Sequence, residues 1–132
     1  MQRLVVGGIG GRVVRGGVSR AGVAAALRAE DPSAISDGGG LAFRRFAERG
    51  HNDLAALAAQ AEAAHQAPIP VERIEAPTLV VAGEDDVLAR HPEALSGAIP
   101  GARLVLVPGD HLGAVGRPEL ADAIVSFVEE AG

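Results

Sequence analysis

The feature that most constrains this chain is an alternation near its end. A continuous β-rich run over residues 78–82 ends in Gly83-Glu84-Asp85-Asp86. A stretch with helical character follows over 92–98, and Pro100-Gly101 marks a turn. A second β-rich run covers 103–107 and ends in Pro108-Gly109-Asp110-His111. The last segment, 118–130, opens with a proline, which suits the first turn of a helix, and carries Leu120, Ile124, Phe127 and Val128 as an apolar stripe. Strand, helix, strand, helix is the order of a parallel sheet flanked by helices. The predicted fold class is therefore α/β.

Upstream, the short apolar run over 4–6 reads as a further buried strand. The six glycines between Gly7 and Gly17 read as a loop of special backbone angles. Ser19 is placed to cap a helix over 20–29, with Val23, Ala24 and Leu27 on one face. Residues 31–40 are polar and glycine-rich, hence a loop. Two more helices are expected. One covers 41–49 and stops at Gly50; the other covers 53–65, capped by Asn52 and rich in alanine. From Ala67 the character changes, and Pro68, Pro70 and Pro77 punctuate an extended connector.

A length of 132 residues makes a single domain, 1–132, the default. A hydrophobic share of 48% allows a core, and an aromatic share of 2% means that Val, Leu, Ile and Ala must build it. Twelve basic and seventeen acidic residues give a net charge of -5 with no long basic run, which argues against nucleic acid as a partner. The absence of cysteine excludes disulfides, thiolate nucleophiles and Cys-ligated metals, and fits a cytoplasmic protein. No apolar stretch approaches the roughly 18 residues of a membrane span, so no membrane is expected as a partner. The apolar part of the first residues is too short for a signal peptide.

In parallel α/β sheets, functional groups gather just past the carboxyl ends of strands. Asp86 follows one such end and His111 the next. A carboxylate that holds an imidazole in one tautomer lets it take a proton from a hydroxyl and return it to a leaving group.

These residues carry a resemblance. The segment from Ala76 to Asp86 resembles the penultimate strand and acid turn of the α/β-hydrolases, and the segment from Ala102 to His111 resembles their last strand and histidine loop. Residues 118–130 are similar to the closing helix, and Arg3 to Gly8 to the strand after the nucleophile helix. The acid-before-histidine order is also that of the family. The resemblance implies a partial α/β-hydrolase fold: parallel strands flanked by helices, a helical cap insertion over 18–66 lying above the active site, and a C-terminal core over 76–132. It implies Asp86 and His111 as catalytic acid and base. Gly83-x-x-Asp86 favours Asp86 over Asp85.

The nucleophile elbow, Gly-x-Ser-x-Gly, has no match. The serines are Ser19, Ser33, Ser36, Ser96 and Ser126, and Ser19 comes nearest without the second glycine. The expected function is therefore a serine-hydrolase type that acts on ester-like or other acyl bonds of a small substrate, with the triad serine missing from this chain. The alternative is an inactive, hydrolase-like binding or partner-dependent module. Losing the nucleophile of a triad costs about a millionfold in turnover, so the isolated chain is expected not to hydrolyse esters. The residue 4–6 strand would lack its inner neighbours, so self-association or a partner chain at an exposed sheet edge is expected.

No cofactor is expected. Gly7-Gly8-Ile9-Gly10-Gly11 fails the dinucleotide fingerprint, because Val13 stands where its last Gly or Ala belongs; in the family reading it is a loop at the active-site rim. No metal is expected, since nothing in the spacing of Asp85, Asp86 and His111 demands one. Asp110 reads as a solvated loop residue, and His51, His65 and His91 as surface residues. Arg12, Arg15 and Arg20 read as a solvated face.

Overall fold

The computed structural model describes residues 2–16, 20–63 and 67–130. The chain divides into two compact units, Met1–Gly17 with Ala67–Gly132, and Val18–Gln66.

The first unit is a three-stranded parallel sheet with strands β1 (Leu4–Gly7), β2 (Thr78–Gly83) and β3 (Arg103–Val107), in the order β1-β2-β3. Val5 pairs with Leu79, Val6 with Val80 and Gly7 with Val81; on the other side Val81 pairs with Val105 and Gly83 with Val107. Every residue of β2 is buried. Its side chains alternate between two cores, which is why its sequence is unbroken rather than alternating. Leu79 and Val81 pack with Val107, Ala114 and Phe127, against helix α6 (Pro118–Glu129) and a 3₁₀ turn at Gly113–Gly116. Val80 packs on the opposite face with Val71, Leu95 and Ile99, beside helices α1 (Arg12–Arg15) and α5 (Pro92–Ala98).

The far end of this sheet is clamped. The guanidinium groups of Arg3 and Arg103 lie 5.0 Å and 4.8 Å from the Phe127 ring centre. Arg103 also forms a two-pronged ion pair with Glu130, at 2.9 Å and 2.8 Å. Arg3 donates to the Glu130 carbonyl oxygen at 2.6 Å. The edge strands are thus tied to the end of α6. Val128, expected on the apolar stripe, is exposed.

The second unit holds helices α2 (Ala21–Arg28), α3 (Gly38–Arg49) and α4 (Leu54–Glu62) around Leu27, Ala47 and Ala58. Arg44 is buried and donates to the Ala26 and Ala29 carbonyl oxygens, capping the end of α2, while its Nε pairs with Glu48 at 2.8 Å. Arg28 and Glu62 join α2 to α4.

Three local expectations change. The glycine loop over 7–17 contains the short helix α1. The loop over 31–40 holds a 3₁₀ turn at Pro32–Ala34, and α3 already begins at Gly38, because the Asp37 carboxylate accepts from Gly39 N at 3.1 Å. Asp53, not Asn52, caps α4, accepting from Ala55 N and Ala56 N; the Asn52 amide instead donates to the Ala47 carbonyl oxygen. Gly50 ends α3 as expected, with a negative φ, and His51 takes the left-handed position at φ 52. The Ser19 cap and His65 lie outside the described residues. No described helix is long and apolar enough to cross a membrane.

Candidate active site

Two loops at the carboxyl ends of β2 and β3 build the site. They are zipped together by their backbones: Glu84 N donates to Val107 O at 2.9 Å, and Asp85 N to Gly109 O at 3.1 Å. So close an approach requires glycine. A Cβ on Gly83 would run into the Gly109 carbonyl oxygen, and one on Gly109, which sits at φ 114, would lie 2.9 Å from Ala114 N. Asp86 N bonds back to Gly83 O at 3.2 Å, which turns its side chain inward.

The Asp86 side chain is 2% exposed and the His111 side chain 39%. His111 Nδ1 lies 2.8 Å from Asp86 Oδ2. The other carboxylate oxygen, Oδ1, accepts from Leu88 N at 2.9 Å and Ala89 N at 3.0 Å. Burial pushes the Asp86 carboxyl upward, but the hydrogen bonds from His111, Ala89 and Leu88, with the His111 charge, outweigh it and hold the group below the ordinary aspartate value. An ionised Asp86 selects the His111 tautomer that donates from Nδ1. Nε2 then carries the lone pair, and makes no hydrogen bond among the described residues. Such a ring can accept a proton from a hydroxyl or a water and pass it on.

The structure sorts the neighbouring residues. Asp85 and Glu84 are exposed. Asp110 is exposed and accepts from Leu112 N and Gly113 N at 3.2 Å and 2.7 Å, starting the 3₁₀ turn after His111. His51 is exposed; His91 is exposed and pairs with Glu93. Arg12, Arg15 and Arg20 are exposed. Among the described residues no three His, Cys, Asp or Glu side chains gather as a metal site.

A hollow of about 330 Å³ opens beside the pair, with Val5, Val115, Leu120 and Ile124 among its walls. Among the described residues its lining contains no Ser, Thr or Cys. Val87 and Leu88 follow Asp86, and Leu112 and Val115 follow His111; all four are exposed. These apolar residues were not picked out in the sequence, where their only signal was their place within four residues after Asp86 or His111.

No protein-family model matches the chain, and no curated protein matches it. Solved structures do. The chain is similar to an enol-lactonase from Burkholderia xenovorans LB400 (TM-score 0.69, 23% identity), with 98% of this chain and 57% of that one covered. It is similar to a hydrolase from Pseudomonas aeruginosa PA01 (TM-score 0.65, 28% identity), with 98% and 56% covered. It is also similar to a non-heme bromoperoxidase from Mycobacterium tuberculosis H37Rv (TM-score 0.52, 25% identity), with 73% and 39% covered. The chain thus spans little more than half the length of the first two.

Proposed function

This chain carries part of the α/β-hydrolase fold, and we propose that it supplies the acid, Asp86, and the base, His111, of a serine-type hydrolase. The reaction proposed is cleavage of an ester-like or other acyl bond in a small, largely apolar substrate. The observation that carries this reading is the 2.8 Å contact between His111 Nδ1 and a buried carboxylate, with no hydrogen bond at Nε2 among the described residues. In the proposed cycle Nε2 takes the proton of the attacking hydroxyl and returns it to the leaving group, while Asp86 stabilises the imidazolium. The exposed apolar residues that follow Asp86 and His111 favour an apolar substrate. Residues 18–66 serve as the cap in this reading.

Among the described residues, which leave out Ser19, the hollow beside His111 has no Ser, Thr or Cys in its lining. That favours a second reading for the chain by itself, a partner-dependent or binding module. The two are separated by experiment. First, the purified chain is treated with a serine-directed fluorophosphonate probe; stoichiometric labelling would sink the expectation that the nucleophile lies elsewhere. Second, the coding DNA upstream of Met1 is read for an in-frame Gly-x-Ser-x-Gly, and the longer chain, where one exists, is assayed on small p-nitrophenyl esters. There His111→Gln should cost on the order of a millionfold in kcat, and Asp86→Asn about ten-thousandfold. Esterase activity that survives both substitutions overturns the assignment; no open frame supports the binding module.

A further inference from the structure

We infer that the glycine-rich loop over residues 8–11 positions the acid–base pair, with Gly8 as the residue that holds the His111 imidazole against Asp86. The inference rests on the reading of Asp86 and His111 proposed above and adds to it a third element of the chain.

The loop is anchored to the acid strand and to the acid loop. Gly8 N donates to Val81 O at 3.0 Å, just past the end of β1. Gly11 N donates to Arg90 O, also at 3.0 Å. A Cβ on Gly10 would collide with the Arg90 carbonyl oxygen and with the Ala89 carbonyl group, so the loop lies flat on that backbone. Ala89 N is one of the donors to Asp86. The loop thus grips the turn that holds the acid.

Between these anchors it passes the base. A Cβ on Gly8 would stand 3.0 Å from His111 Cε1, 3.5 Å from Nδ1 and 4.0 Å from Asp86 Oδ2. The side-chain position of residue 8 therefore faces the hydrogen bond between acid and base. Cε1 sits between the two ring nitrogens, so pressure there moves both. The ring is partly open to solvent, and the space that a side chain at Gly8 would fill borders it. Any side chain at position 8 pushes the ring by a few tenths of an ångström toward its open side, lengthening and misaligning the bond to Asp86. Positioning errors of such a kind lower turnover even though no reacting group is removed.

Glycine at position 8 also has an ordinary backbone reason, since φ is 65. Gly101 provides the control. It has φ 69, and a Cβ added there meets nothing within 4 Å. Gly101→Ala therefore carries the backbone penalty alone, and Gly8→Ala carries the penalty and the contact. Gly8→Asn places the same Cβ with less backbone strain, because asparagine tolerates the left-handed region; it serves where Gly8→Ala does not fold.

The experiment uses the full chain and reads the ¹³C titration of the Asp86 carboxyl and the ¹⁵N signals of the His111 ring by NMR. In the Gly8 variants the Asp86 midpoint should move up toward the ordinary aspartate value, and both ring signals should shift. Gly101→Ala should leave them as in the parent. Parent-like signals in a folded Gly8 variant overturn the inference, as does an equal change in Gly101→Ala. So does failure of Gly8→Asn to fold while Gly101→Ala folds, since a residue that only faces a half-open ring is not needed for folding. These readouts involve no turnover, so the positioning role and the catalytic reading fail independently.

Discussion

Asp86 illustrates how a buried carboxylate is kept charged. Burial alone would raise its pKa, and the donors from His111, Leu88 and Ala89 reverse the sign. A depressed folded pKa adds stability above the unfolded value, about 3.9 for aspartate, which is lost as pH falls through the lower folded value. Urea midpoints measured from pH 5 downward should therefore fall more steeply for the parent than for Asp86→Asn; parallel curves would contradict the ionised, donor-held carboxylate. The second residue-scale prediction concerns Gly83. Its missing side chain lets the backbones of the acid and histidine loops touch. Gly83→Ala forces them apart, and overpacking of that kind costs about 1–3 kcal/mol. Urea denaturation should show that loss, together with a broken Asp86–His111 bond by NMR. The motif from Gly83 to Asp86 was visible in sequence. The facing carbonyl of Gly109 was not, since only folding brings those loops together.

Among elements, α6 shows what a helix needs beyond its apolar stripe. Phe127 is buried, and two guanidinium groups, from Arg3 just before β1 and Arg103 in β3, lie within about 5 Å of its ring centre. Phe127→Leu keeps most of the apolar burial and removes the ring. The cation–π contribution lost should be about 1–2 kcal/mol, read as a lower urea midpoint, and Arg103→Gln in the Leu background should then cost less than in the parent. Additive losses would mean that the ring and the cation do not interact. Helix positions were legible because periodicity and prolines are local signals. Helix starts were less so. Asn52 and Asp53 are both good caps, and the choice between them was made by where the Asn52 amide finds the Ala47 carbonyl. Asp37 likewise drew three glycines into the first turn of α3.

At the scale of the whole molecule, the three strands among the described residues leave a sheet open. The outer edge of β1 has no strand partner among the described residues, and Ile9, Val87, Leu88, Leu112 and Val115 add exposed apolar surface in the same unit. Open edges and apolar patches recruit other chains. Light scattering on a dilution series should therefore show a particle size that grows with concentration, and circular dichroism a low melting temperature. A heat-resistant monomer of constant size would count against it.

The alternation of strand and helix after residue 76 and the α/β class were determined by the sequence alone, because continuous β-rich runs and helical spacing are written in consecutive residues; the place of β2 at the centre of the sheet was not. Asp86 and His111 were visible as residues that follow two strands. Tertiary structure alone decided the rest. The 2.8 Å contact between Asp86 and His111 depends on the parallel register of β2 and β3 and on two glycines that let their loops meet. The side-chain space that borders the imidazole belongs to Gly8, more than a hundred residues before His111. Such approaches are set by the sheet that carries both segments, and no local pattern encodes them.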